Sequence, residues 1–243
     1  SIQLLLRRIG LVVNAGIKLM WRSLEYTGST GLSSYKNEVG SPGINLAASA
    51  TWFPGAHFRG DWLSDLGLEL GYEYTVGLSS NQNGEKLSTT AYELDANLQY
   101  RLPFESGEPR GRVGYLLQTF EVPDSADLPG VSYGGIRLGG GILVHVIEKL
   151  TFDVDLAYIV VTGTGDIDSA EFATGTSAGA FEASGGATMR FGDSGAFGAR
   201  IAVDFRRYFL DLGCPAETGG QCVNQTMTRA LPEEADDDYF RLT

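Results

Sequence analysis

The chain has only two cysteines and two histidines among its 243 residues, only eight prolines, and no apolar run approaching the roughly 20 residues that a membrane-spanning helix needs. The missing run excludes a helical membrane protein and leaves a β-barrel open. Positive charge is also short. Eighteen Lys and Arg stand against 30 Asp and Glu, for a net charge of −12. Nucleic acid is therefore excluded as a partner, because phosphate binding needs a basic surface. What is abundant is Gly (33), Tyr (11) and Phe (12), a composition that favours many strands with tight turns. Nothing in the chain reads as a linker between two cores, so one domain over 1–243 is expected.

Residues 150–161, LTFDVDLAYIVV, place two carboxylates among β-branched and aromatic residues. By parity, Leu150, Phe152, Val154, Leu156, Tyr158 and Val160 share one face, and Thr151, Asp153, Asp155 and Ala157 the other. A period of two means a strand. The pattern recurs along the chain. Ile44 to Trp52, Leu66 to Val76 and Tyr92 to Leu102 each carry apolar residues on one parity, the last with Glu93, Asp95, Asn97, Gln99 and Arg101 between them. Segments near 111–121, 135–147, 181–191 and 197–206 repeat it, and Ile17, Leu19 and Trp21 open the series. The stretch RRIGLVVNAGIKLMWR puts two Arg before an apolar run, but Lys18 breaks that run early. It is read as a first strand, with any signal peptide absent from this chain.

The connections alternate in length. Long polar segments near 28–42, 77–89, 122–132, 162–177 and 209–237 are separated by shorter ones around PGAHFRGD, PFESGEP, IEK and GDSGA. Antiparallel neighbours joined this way gather all long loops at one end, the layout of transmembrane barrels with short periplasmic turns and long extracellular loops.

A soluble, lipocalin-like ligand-binding barrel is the competing reading, with its apolar parity turned inward. The polar parity, however, holds Gly67, Gly71, Gly114, Gly139, Gly141, Gly186 and Gly198 beside its charges. Glycine weakens a strand that only faces solvent, whereas in a crowded lumen it makes room for long charged side chains. Aromatic residues also gather near strand ends, with Trp52, Trp62, Tyr100, Phe152, Phe191 and Phe197 at one end and Tyr26, Tyr74, Tyr92, Tyr158 and Phe181 at the other. Two such girdles flank the apolar band of a membrane barrel. The expectation is an all-β, antiparallel up-and-down barrel with its apolar parity on lipid. Its lumen should hold a charge network of Glu69, Glu93, Asp95, Arg101, Arg137, Asp153, Asp155, Arg190, Arg200 and Asp204, joined by Lys18, Arg22, Glu73, Arg112, Glu182 and Arg206. An arginine at Leu98 should be costly, and Asn97, as a lumen position, should tolerate the same change better.

In alternation, girdles and loop asymmetry, the chain resembles the small Gram-negative outer-membrane β-barrels, the class of OmpA-like and OmpX-like proteins. No motif selects one family, so no family's functional residues carry over. The resemblance implies a bacterial outer-membrane location, with lipid and lipopolysaccharide around the wall. Nine strands are counted and an even number is expected, so YFRLT in the closing DDDYFRLT reads as the start of an incomplete tenth strand.

Cys214 and Cys222, in the Gly-rich CPAETGGQC with no His nearby to suggest a metal, are expected to form a disulfide in an oxidising compartment. No cofactor and no catalytic residue is expected. His57 falls in a short turn and His145 on the lumen face, away from the rim where omptin-type proteases carry His and Asp. No Ser–His pair of the lipid A deacylase kind lies on the lipid side. GGIRLGGG sits inside a strand pattern with no helix after it, so it fails as a dinucleotide site. The expected role is that of a non-enzymatic anchor, docking or adhesion component. It would engage another envelope or extracellular protein through its long loops, with Asp166, Asp168, Glu171, Glu233, Glu234, Asp236, Asp237 and Asp238 as an acidic working surface. A narrow, porin-like diffusion channel is the alternative.

Overall fold

The computed structural model describes residues 10–27, 42–58, 62–76, 79–82, 85–121, 130–169, 175–192, 196–213, 217–218, 221–222 and 234–243. Ten of its strands form one closed barrel: β1 (Leu11–Thr27), β2 (Gly43–Trp52), β3 (Leu66–Val76), β4 (Thr90–Arg101), β5 (Gly107–Glu121), β6 (Val131–Ile147), β7 (Leu150–Gly163), β8 (Ser177–Phe191), β9 (Phe197–Asp211) and β10 (Glu234–Leu242). Every strand pairs antiparallel with its sequence neighbours, and β10 returns to β1, which closes the sheet. Two small hairpins, Ser79–Gln82 with Glu85–Ser88 and Glu217–Thr218 with Gln221–Cys222, lie within the connections at the long-loop end.

The apolar parity faces out. Leu68, Leu98, Leu138, Val154 and Leu156 are each more than 40% exposed, while their sequence neighbours Asn97, Arg137, Asp153 and Asp155 are buried inside. An outer wall this apolar is matched to hydrocarbon, so the chain spans a membrane by its strands and the lipocalin-like arrangement is set aside. Among the described residues no helix is long and apolar enough to cross a membrane. Trp52, Trp62, Phe152, Phe191 and Phe197 ring the short-turn end as exposed aromatics. At the seam the opposite ring is marked by Trp21, Phe240 and Phe205, which lie in one cross-strand row, with Trp21 and Phe240 5.6 Å apart.

Beyond that row the pattern inverts. On β1 the outward residues change from Ile17, Leu19 and Trp21 to Ser23 and Glu25, while the inward ones change from Lys18 and Arg22 to Leu24 and Tyr26. On β9, Phe205 gives way outside to Arg207 and Asp211 with an exposed Phe209 between them, and Arg206 gives way inside to Tyr208 and Leu210. Strands of 14–17 residues on β1 and β5 to β9 exceed the 9–11 that a tilted crossing needs. Their excess forms a cap above the membrane with water outside and a hydrophobic core inside. That core comprises Met20, Leu24, Leu116, Phe120, Tyr133, Ile159, Tyr208 and Tyr239, each no more than 3% exposed.

Several expectations change accordingly. The last strand is not confined to YFRLT: it begins at Glu234 and pairs with both β1 and β9 along its length. The acidic run is therefore strand rather than loop. Asp237 is fully buried and drops out of the acidic surface. Tyr26 points into the cap and is no girdle residue. Ile167, in the 162–177 connection, is fully buried in the cap core from a short 3-10 turn, Gly165–Ile167. The connection around PGAHFRGD runs from Phe53 to Asp65 with a helical turn, Gly55–Phe58, and a 3-10 turn, Trp62–Asp65. It is no shorter than several of the long loops, because it folds back over the barrel mouth. There Phe53 is buried, its ring 3.8 Å beneath the Arg101 guanidinium and packed against Gly67, where a Cβ would come within 2.7 Å of it. Of the expected disulfide, Cys214 and the side chain of Cys222 lie outside the described residues.

Candidate functional site

Among the described residues, polar chemistry is concentrated in the lumen. Strand alternation turns every second residue inward, many of them charged, and the barrel's small bore brings these together. At mid-height Arg206 is the hub. Its guanidinium donates to Glu182 Oε2 (2.9 and 2.7 Å), to both oxygens of Glu93 (2.7 and 3.0 Å) and to Gln118 Oε1 (2.6 Å). Arg137 donates to Glu182 at 2.5 and 2.6 Å, and Arg241 to Glu93 at 2.5 Å. Two carboxylates thus share three buried guanidinium groups. Asp95 lies 3.7 Å from Arg137 and accepts from Asn97 at 2.6 Å.

Nearer the short-turn end the network divides into pairs. Asp153 is bound by Arg200, with Arg200 Nη2 donating to Oδ2 at 2.8 Å, and Asp155 by Arg110, with Nε donating to Oδ1 at 3.0 Å. Each arginine sits two strands along the wall from its partner, so these pairs brace next-nearest strands. Lys18 donates to Glu73 at 2.5 Å and lies 3.6 Å from Asp204. Arg101 lies 3.5 Å from Asp65, which belongs to the turn folded over the mouth. Glu69 and Arg190 also face the lumen, at half-buried positions toward the short-turn end.

Most charges expected in the lumen are there, but their closest partners include residues that alternation did not supply. Arg241 and Arg110 lie within a few residues of a strand end, where a small error in boundary hides the parity, Asp65 lies in the 3-10 turn before β3, and Asp237 is central to a strand whose acidic run reads as loop. In the cap, Asp237 accepts from Arg22, from Tyr133 Oη at 2.9 Å and from Tyr239 Oη at 3.1 Å. Tyr208, stacked on Tyr133 at 3.8 Å, donates to Gln118 at 2.8 Å and so ties the cap core to the hub.

Position 97 is not the tolerant lumen site that its parity suggests. Asn97 is 1% exposed, and Gly114 beside it has no room for a Cβ, which would lie 2.7 Å from the Asn97 Cα. Chemically, this lumen is a brace. Its fixed charges pair largely with one another, although Nε of Arg112, Arg137 and Arg241 is buried without a hydrogen-bond acceptor among the described residues.

No family model and no curated relative matches the chain. Similar solved structures are outer-membrane barrels. One is a TodX deltaS2S3 mutant monoaromatic hydrocarbon channel, with 8% identity over 96% of this chain and 67% of that one and a TM-score of 0.39. Another is the outer membrane phospholipase A from Escherichia coli, with 12% identity over 99% of this chain and 96% of that one and a TM-score of 0.36. A third is an anion-selective porin from Comamonas acidovorans, with 12% identity over 96% of this chain and 55% of that one and a TM-score of 0.29. At such scores they lend nothing to the reading of the site, which rests on the barrel's own geometry.

Proposed function

We propose that this barrel is a non-enzymatic docking or anchoring component of a bacterial outer membrane, with lipid and lipopolysaccharide around its wall. Its working surface is the set of long loops carried on the cap. The observation that supports this reading is the inversion of polarity at the Trp21–Phe240–Phe205 row. Past the membrane the strands continue as a water-facing cylinder filled by Phe120, Tyr133, Tyr208 and Tyr239. A cap with its own core is a rigid platform for loops, and loops of the lengths at 28–42 and 212–233 exceed what closing a hairpin requires. The same core, above the Arg206 hub, stands against the diffusion-channel reading.

The test replaces residues 30–38 and 219–230 with short Gly-Ser links and compares cross-linked partners recovered from native envelopes. The trimmed barrel should keep its heat-modifiable gel mobility and lose its partners. If it brings down every partner of the full chain, the loop reading fails. Reproducible, salt-dependent conductance of the intact protein in a planar bilayer would put the channel in its place.

A further inference from the structure

The outer wall of the cap carries an apolar seat on a surface that faces water. Counting outward from the Trp21–Phe240–Phe205 row, the strand pairings make the second row Val160, Gly179, Phe209, Asp236 and Glu25. Phe209 and Val160 are each 46% exposed. Gly179 between them has no side chain, and a Cβ there would come within 2.5 Å of Tyr158 Oη, which reaches up from the row below. Phe209, Val160 and Tyr158 thus wall a dent with a backbone floor. An exposed aromatic beside such a gap is a place for an apolar side chain of another molecule.

Toward the seam the same wall turns acidic. Glu25 stands directly opposite Asp236, and in the next row out Asp211 stands directly opposite Glu234. Like charges at directly opposed positions repel, so the wall bears a cost here that a cation from outside would relieve. Arg207, in the row below, is committed to Asp238 by bonds of 2.6 and 2.7 Å. With strands about 4.8 Å apart, Asp236 stands about 10 Å and Glu25 about 14 Å from Gly179 along the row.

We propose that this face of the cap docks a cationic segment of another protein, anchored by one aromatic side chain. The anchor sits over Gly179 between Val160 and Phe209. Alternate side chains of an extended segment are about 7 Å apart, so Lys or Arg two and four residues beyond the anchor meet Asp236 and Glu25, with Asp211 and Glu234 within reach of their flexible stems. Charge selects the partner and the seat fixes its register. Lipid phosphate is the wrong occupant, because these carboxylates repel it and it has no use for an apolar seat. The site rests on the docking role proposed above only in needing the cap to stand outside the membrane; it does not need the long loops.

The test uses the full chain in phosphatidylcholine nanodiscs, which carry no net charge, and the dye-labelled peptide acetyl-Trp-Ser-Lys-Ser-Lys-Gly, read by fluorescence anisotropy. The expected result is saturable binding that weakens as salt rises. Gly179→Leu, which fills the seat, and a peptide with Ala in place of Trp should each weaken binding about tenfold. Asp211→Lys combined with Asp236→Lys should abolish binding of this peptide and confer binding of acetyl-Trp-Ser-Glu-Ser-Glu-Gly, a gain that a misfolded barrel could not show. The barrel with residues 30–38 and 219–230 replaced should bind the cationic peptide as the full chain does, so this site and the loop reading fail separately. No binding by the full chain, equal binding of the Ala peptide, loss of binding on trimming the loops, or no exchange of preference in the double variant would overturn the assignment. So would displacement of the peptide by Ca²⁺ together with Ca²⁺-dependent capture of lipopolysaccharide, because it would make the face a cation-bridged contact for lipid phosphate.

Discussion

Arg22 of the first strand and Asp237 of the last are joined by two parallel hydrogen bonds, Nε to Oδ1 at 2.8 Å and Nη2 to Oδ2 at 2.7 Å, with neither side chain exposed by more than 1%. The pair lies across the seam where β10 meets β1. The Arg22 guanidinium also covers the Phe120 ring at 3.8 Å, so closure of the barrel and packing of the cap depend on one group.

Removing one member leaves the other charged in a dry site. Arg22→Leu should cost about 3–5 kcal/mol, the usual penalty for an orphaned buried charge. It should appear as a lower urea midpoint for unfolding in detergent. Asp237→Asn should cost less, since an amide oxygen still accepts from Tyr133 and Tyr239. A cost for Arg22→Leu within 0.5 kcal/mol of zero would mean that the seam does not depend on this pair.

The outer wall can be tested at mid-strand. Leu98 is 48% exposed to the membrane side, and an arginine there should cost about 2–4 kcal/mol. Ser49 faces the lumen at a half-buried site toward the short-turn end, where it accepts a hydrogen bond from Asn14 Nδ2 at 3.2 Å. Ser49→Arg should be nearly neutral when the two variants are folded into vesicles. Equal penalties would remove the basis for assigning lipid to the apolar parity.

The lower half of the barrel was legible in the sequence because one rule, alternation against hydrocarbon, governs every residue from Leu66 to Val76 or from Leu150 to Leu156. The cap was not, because the rule reverses partway along a strand. Read with the lower rule, Tyr26 becomes a girdle residue and Asp237 a loop carboxylate, although both face a hydrophobic interior. Arg241 and Arg110 were missed for a related reason: each lies within a few residues of a strand end, and parity carries no information until the end is placed. The pairing of Asp153 with Arg200 and of Asp155 with Arg110 depends on barrel tilt and side-chain reach, which period-two patterning does not encode.

Close packing of the lumen gives a second internal comparison within β5. A Cβ at Gly114 would collide with the Ala96 carbonyl and the Asn97 side chain, whereas a Cβ at Gly111 meets nothing within 4 Å. Gly114→Ala should therefore cost about 1–3 kcal/mol through overpacking, and Gly111→Ala close to nothing. Thermal unfolding in the same detergent would separate them. Identical midpoints would show that the wall relaxes freely at Gly114.

The inversion makes a prediction opposite to that for the membrane band, and adjacent residues of β1 suffice to check it. Leu24 points inward and is 3% exposed within the cap core, whereas Ser23 points outward beyond Trp21, opposite Asp238. In a lumen that was polar throughout, a lysine at position 24 would be at home, as Lys18 is six residues earlier, and one at position 23 would face lipid. With the cap as described, the outcome reverses. Leu24→Lys should lose about 2–5 kcal/mol from packing alone, with the desolvation of an unpaired ammonium added to it. Ser23→Lys should stay within about 0.5 kcal/mol of the parent, as an outward-facing, half-buried change near a carboxylate does. Denaturant midpoints of the two variants in nanodiscs provide the comparison. If Leu24→Lys proves the milder of the two, the hydrocarbon boundary lies above Trp21 and the strands end in the membrane rather than beyond it.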